Sequence, residues 1–140
     1  MERQKKVVDA SIAVKWFFEE VDTDKALKLI EKHLCGEIII TVPDLFLYEI
    51  TNAMRYKKSG TKNILTLLNE LKKFQFFIYP VSTEILEKTV ELALKYELTI
   101  YDATYLALSE LLDAQLITAD KQILALHHPL VRSLEEKESQ

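Results

Sequence analysis

The sequence predicts an α/β fold: a central, mostly parallel sheet with helices on both faces, in three α/β/α layers. Three observations carry that expectation. Short β-branched runs alternate with longer segments of helical periodicity, which is the pattern of crossover-connected parallel strands. Glu37-Ile38-Ile39-Ile40-Thr41 is almost continuously apolar, as a strand covered on both faces must be. Only 2 glycines and 3 prolines occur in 140 residues, too few for the φ > 0 turns of a hairpin-rich sandwich or barrel.

In order along the chain, Lys6-Val7-Val8-Asp9 reads as a short strand. Over 11–18, Ile12, Lys15 and Trp16 fall at helical spacing. A helix follows over 24–34, with Ala26, Leu27, Leu29 and Ile30 apolar and Gly36 placed to end it. The apolar run 37–41 is the second strand. Pro43 is expected to open the next helix, in the first-turn position that tolerates it. That helix runs to 58, where Ser59-Gly60 stops it. A helix over 62–74 and a strand over 76–81 come next, Pro80 marking a sheet end or edge. Helices over 83–96 and 101–112, a strand over 115–118, a short helix over 120–126 and an edge strand over 131–134 complete the series. The expected organisation is one domain over 1–134, followed by a charged tail over 135–140 that has lost apolar periodicity.

Composition excludes several function classes. Gly36 and Gly60 stand alone, so neither a dinucleotide loop nor a P-loop is present. The single cysteine, Cys35, has no internal disulfide partner. With no secretory pattern at the N-terminus, a reducing, cytoplasmic setting is expected. No apolar run approaches the roughly 20 residues of a membrane span. The formal charge of −4 argues against a dedicated basic nucleic-acid surface.

Ligands of open α/β sheets bind outside the carboxyl ends of the strands. Asp9 ends the first strand, and Asp120 follows the 115–118 strand by one loop residue. Asp102 lies at a helix start that loops of the same edge can deliver. Each of the three also reads as a helix-capping or first-turn acid. Glu49 sits two turns into its helix among Leu45, Phe46, Leu47, Ile50 and Ala53, where a carboxylate needs a partner or a way out to solvent. Four carboxylates brought together would repel one another unless a cation intervened. All-oxygen ligands select Mg²⁺ or Mn²⁺ over zinc. His33, alone on a helix, and the adjacent His127-His128 do not have zinc-site spacing and are expected to be structural or exposed. Three polar residues stand near the acids. Ser11 is a cap hydroxyl or a donor to a ligand carboxylate. Asn52 shares a helix face with Glu49, where it either orients that carboxylate or is simply a polar face residue. Thr118 is expected to do the same for Asp120. The aromatic residues, Tyr48 and Phe77 among them, are expected mostly to build the core.

Four stretches together resemble the PIN domain and, within it, the VapC toxins of bacterial and archaeal toxin–antitoxin pairs. They are Val7-Val8-Asp9-Ala10-Ser11 with Val14-Lys15-Trp16-Phe17, Val42-Pro43-Asp44-Leu45 leading to Glu49-Ile50-Thr51-Asn52-Ala53, Leu98-Thr99-Ile100-Tyr101-Asp102-Ala103-Thr104-Tyr105-Leu106-Ala107, and Leu116-Ile117-Thr118-Ala119-Asp120. The resemblance covers almost the whole chain. It implies a small dimeric α/β/α domain acting as a Mg²⁺- or Mn²⁺-dependent ribonuclease, with 5′-phosphate and 3′-hydroxyl products and a small antitoxin that covers the groove. It assigns Asp9, Glu49, Asp102 and Asp120 as catalytic and metal-binding residues, and Ser11 and Asn52 as accessory polar positions. Asp113, at a turn where the family often has a small residue or Asn, is a departure expected to accept the left-handed conformation.

An RNA substrate has to be reconciled with the acidic charge. Removing the four site acids from the 22 acidic residues leaves 18, equal to the 18 basic ones. Lys15, Arg55, Lys57 and Lys58 are then candidate phosphate contacts, or simply a solvated charged face. The alternative function is a non-catalytic protein-interaction or RNA-binding module on the same fold. A response-regulator-type phosphotransfer domain fits poorly, because Asp9 has no acidic sequence neighbour.

Overall fold

A strand buried on both faces needs side chains that are mostly apolar or internally hydrogen-bonded, and two stretches of this chain supply them. The one buried cation among them, Lys6, donates to Gln115 Oε1 at 2.7 Å. β1 (Gln4–Val8) buries its last three residues, and β2 (Ile38–Pro43) buries all but one. In the computed structural model, which describes residues 3–57 and 63–135, these two strands pair in parallel at the centre of the molecule. β3 (Phe77–Tyr79) adds to the outside of β2; β4 (Gln115–Ile117) and β5 (Val131–Arg132) add to the other side of β1. The sheet order is β3-β2-β1-β4-β5, and every pairing is parallel.

The helices are α1 (Ala10–Ala13), continued by a 3₁₀ turn Val14–Trp16, then α2 (Thr23–Leu34), α3 (Leu45–Tyr56), α4 (Ile64–Lys72), α5 (Thr83–Tyr96), α6 (Ile100–Leu112) and α7 (Lys121–Leu124). The chain moves one way across the sheet from β1 to β3, and the other way from β3 to β5. Right-handed crossovers therefore place helices on both faces. The direction reverses between β1 and β4, and this is the switch point where such sheets open a crevice.

α6 is the helix the fold is built around. Seven consecutive residues, Ala103 through Ser109, are buried, and the helix packs across β1, β2 and β4. A helix apolar on every side has to sit inside the protein. Its start is capped by Thr99, whose Oγ1 accepts the Asp102 N–H at 3.1 Å. Its end is closed by Asp113 in the left-handed conformation (φ 50°), as the sequence led us to expect.

The structure shifts several element boundaries. The helix expected over 11–18 is one α turn and one 3₁₀ turn. Pro43 ends β2 instead of opening α3: it pairs in register with Tyr79, and the Tyr79 carbonyl accepts the Asp44 N–H at 3.0 Å. A strand tolerates a proline at such an end, where its missing N–H is not needed by the ladder. The expected stop at Ser59-Gly60, the start of the helix at 62, Lys58 and most of the tail (136–140) lie outside the described residues. Tyr48 and Phe77 are exposed and do not belong to the core. Trp16, Phe46, Phe74 and Phe76 do cluster, with edge-to-face and tilted contacts at 5.5–5.8 Å between ring centres. His33 is buried beside them; Nδ1 accepts the Ile40 N–H and Nε2 donates to the Phe74 carbonyl, so the ring is structural and neutral. Cys35 is free and exposed. Among the described residues no helix is long and apolar enough to cross a membrane.

At the end of α6 remote from the site acids, Glu110 receives the Lys88 ammonium at 3.1 Å and the His128 ring at 2.8 Å, tying α5 and the segment before β5 to α6. Burial raises the Glu110 carboxyl, but the His128 and Lys88 contacts outweigh it and hold the pKa below the ordinary value. A lowered folded-state pKa gives stability that is present above the unfolded carboxylate pKa and lost as pH falls through the folded one. Glu110→Gln is therefore expected to lower stability by about 1 kcal/mol at pH 7. The gap to wild type should close as thermal melts are taken from pH 5 down to pH 3.

Candidate active site

β1 and β4 are paired with Val8 opposite Ile117, so the next residues of both strands emerge side by side at the switch point. Asp9 leaves β1 there, and Thr118 leaves β4. Asp9 is only 7% exposed. A buried carboxylate has to recover in hydrogen bonds what it loses in hydration. Its Oδ1 accepts the Ser11 N–H at 3.1 Å and the Ser11 hydroxyl at 2.5 Å; its Oδ2 accepts the Thr118 hydroxyl. These donors fill three of the roughly four lone-pair positions of a carboxylate. The Ile12 backbone N–H also serves this carboxylate.

The bracing residues are themselves fixed. Ser11 Oγ accepts the Ala119 N–H at 2.9 Å, and Thr118 Oγ1 accepts the Asp120 N–H at 3.0 Å. Asp9, Ser11, Thr118 and Asp120 thus form one hydrogen-bonded unit across the β1–β4 seam. Thr118 serves the Asp9 carboxylate and the Asp120 backbone, not the Asp120 carboxylate as expected. Asp9 and Asp120 are also caps: Asp9 caps α1, and Asp120 Oδ1 accepts the N–H groups of Gln122 (2.8 Å) and Ile123 (3.2 Å) at the start of α7. The capping and site interpretations of these residues are compatible.

Glu49 is half-buried on α3, and the group that holds it comes from α6. The Tyr105 hydroxyl donates to Glu49 Oε1 at 2.5 Å. Tyr105 is 1% exposed. Asn52 is exposed and makes no hydrogen bond to Glu49, as a polar face residue would be. The sequence did carry a trace of Tyr105: it lies three residues after Asp102, one helical turn on, in the otherwise apolar run 105–108.

None of the four acids forms an ion pair among the described residues. Burial pushes the Asp9 carboxyl up to about 6; the Ser11 and Thr118 hydrogen bonds oppose this and the Asp120 charge adds to it. Burial also raises Asp102, helped by Asp120, and raises Glu49, helped by Asp102 and opposed by Tyr105. Burial raises the Tyr105 hydroxyl, and the charges of Glu49, Asp9 and Asp102 raise it further. The four acids therefore share one electrostatic field around Tyr105, running Asp9, Asp120, Asp102, Glu49. As the side chains stand, no three Asp, Glu, His or Cys residues among the described ones are close enough to grip an ion. The donor set is all oxygen and uncompensated, which suits a hard dication; the arrangement is a string of acids and not a closed cage.

The basic residues are distributed differently from expectation. Lys15 is buried, and its ammonium donates to the Val21 carbonyl at 2.8 Å and meets Glu20 at 3.5 Å. It is a structural tie, because its donors are spent inside the protein. Lys57 pairs with the same Glu20. Arg55 is exposed, with its guanidinium 5.1 Å from the centre of the Tyr56 ring.

Comparison with known proteins agrees with this architecture. The family model described as PIN domain matches residues 6–128. Ribonuclease VapC3 of Pyrobaculum aerophilum is 29% identical over 124 residues, covering 85% of this chain and 92% of the relative. A toxin–antitoxin complex from Klebsiella pneumoniae superposes with a TM-score of 0.71 at 21% identity, over 94% of this chain and 99% of the other. Mycobacterium tuberculosis VapC20, a sarcin-ricin loop cleaving toxin, superposes with a TM-score of 0.68 at 14% identity, over 91% and 98%. With an all-parallel sheet in this order and a family match over most of its length, the chain belongs to the PIN domain family.

Proposed function

We propose that this protein is a metal-dependent endoribonuclease and the toxin of a toxin–antitoxin pair, acting in the cytoplasm. The observation that carries this reading is the buried, hydroxyl-braced Asp9 at the switch point, sharing one uncompensated negative field with Asp120, Asp102 and Glu49. The relative named Ribonuclease VapC3 and the toxin–antitoxin structure support the biological setting.

In this reading Asp9, Asp102, Asp120 and Glu49 hold Mg²⁺ or Mn²⁺. An ion held there would supply Lewis-acid chemistry, lowering the pKa of a water and offsetting charge on the phosphoryl oxygen. The protein's own share is positional and acid–base. Ser11 and Thr118 keep Asp9 in one rotamer. Glu49 takes the proton of the attacking water at Oε2, since Oε1 is occupied by Tyr105. Attack of the deprotonated water at phosphorus breaks the P–O3′ bond, and the departing O3′ takes up a proton from solvent, leaving a 5′-phosphate and a 3′-hydroxyl. Arg55 is the remaining candidate among the described residues for a phosphate contact.

A small antitoxin that covers the groove is the proposed protein partner. A homodimer is proposed through α5, where Leu86, Val90 and Leu94 are exposed at four-residue spacing.

Asp120→Asn separates chemistry from folding. Asn caps a helix as well as Asp does, and the substitution removes the charge that raises Asp9 and Asp102. Cleavage of RNA with Mn²⁺ is expected to fall about 100-fold or more. The melting temperature of the metal-free variant should equal or exceed that of wild type. Unchanged cleavage would remove the site.

Wild type should also gain thermal stability with Mn²⁺, by about 2.7 kcal/mol at a hundredfold excess over Kd. Asp120→Asn should lose most of that gain, as read by melts with and without the ion. Thr118→Val should keep the fold but weaken the Mn²⁺-dependent shift, because Asp9 loses its β4 brace.

A further inference from the structure

A second feature adjoins the acids. A cavity of about 530 Å³ opens between α3 and α6, walled by Tyr48, Glu49, Asn52 and Arg55 of α3 and Tyr101 of α6, with Ile64 at the start of α4. Its size is that of a small-ligand pocket. Two of its walls are tyrosines left in solvent, Tyr48 at 80% exposed and Tyr101 at 61%. Neither ring has an aromatic partner among the described residues. Each stands immediately before a site acid in sequence, Tyr48 before Glu49 and Tyr101 before Asp102. α3 and α6 therefore each present an aromatic ring and an acid at adjacent positions.

We propose that this cavity is a nucleobase subsite: a base of a single-stranded RNA stacks on the Tyr48 and Tyr101 rings, faces the Asn52 amide, and has a flanking phosphate on Arg55. The inference rests on the ribonuclease reading and deepens it. Glu49 belongs both to the cavity wall and to the acid string. A phosphodiester held at the acids therefore places an adjoining base at this cavity, within one nucleotide of the bond to be cut. Aromatic faces bind every base, since each has a π-face. The side-chain amide of Asn52 offers a donor and an acceptor to a base edge. Arg55 supplies the positive charge that an apolar protein segment would not need. A subsite of this kind also accounts for how an acidic chain holds a polyanion: stacking carries no charge penalty.

The test is fluorescence anisotropy in EDTA, which blocks cleavage, with a labelled 12-nucleotide oligouridylate and an abasic ribose-phosphate strand of the same length. Tyr48→Ala and Tyr101→Ala are each expected to bind oligouridylate about 5- to 100-fold more weakly than wild type, the range of one base–aromatic stack. Tyr48→Phe and Tyr101→Phe should bind like wild type. The abasic strand should bind wild type and Ala variants equally. Both tyrosines are exposed, so melting temperatures should be unchanged. Ala variants that bind oligouridylate as wild type does would overturn the subsite and leave the ribonuclease reading standing. Wild type that binds neither strand would overturn the subsite, while the ribonuclease reading stands or falls separately on Mn²⁺-dependent cleavage by wild type against Asp120→Asn. An Ala variant that binds RNA normally but shifts from dimer to monomer in sedimentation velocity would assign the surface to a second copy of the chain, and overturn the proposal.

Discussion

Placing a carboxylate at the junction of two buried parallel strands creates a demand that the rest of the architecture answers. Asp9 has lost nearly all contact with water, so its oxygens are served by protein donors. One donor set comes from the first turn of α1 and the other from the end of β4. The second requires the β1–β4 register to be held: a slip of one residue would turn the Thr118 side chain to the other face and leave Oδ2 unserved. The brace is made of hydroxyls and not of Lys or Arg. Neutral donors stabilise the carboxylate without cancelling its charge, and the crevice stays negative. An ion pair at this position would be the more ordinary structural solution, and it would be incompatible with the cation site proposed for the crevice.

α6 performs the corresponding task for the other pair of acids. It is buried over seven residues, and a buried apolar helix is a rigid support. Its one long polar side chain within that run, Tyr105, reaches Glu49 on α3. Asp102 projects from the first turn of the same helix. A single element therefore positions one acid directly and a second through a phenol. The electrostatic consequence is mutual: Glu49, Asp9 and Asp102 all act on the Tyr105 hydroxyl, and keep it protonated as a donor.

The charge distribution bears on the proposed substrate. Lys15 and Lys57 converge on Glu20, where they tie the segment after the 3₁₀ turn to the end of α3. They are spent on structure. Among the described candidates Arg55 alone remains beside the acids, next to two exposed tyrosines. For a chain of net charge −4, the proposed attraction to RNA would then fall to a bound cation and to the proposed stacking surfaces, both short-ranged. Such binding has a shallow salt dependence, because few phosphate counterions are displaced.

The alternation of β-branched runs and helical periods determined the element order and the parallel α/β class, because patterning at periods 2 and 3.6 is a local property of the chain. It also placed Asp9, Asp102 and Asp120 at helix starts or strand ends, since caps and strand termini are local too. The left-handed turn at Asp113 was legible for the same reason. What the sequence left open was decided by contacts over long separations. Tyr105 and not Asn52 holds Glu49, because a helix 56 residues away supplies the donor. Thr118 braces Asp9, because strand pairing unites residues 109 apart. Lys15 turned inward, and Tyr48 turned outward, because which face of a short helix is covered depends on its neighbours and not on its own period.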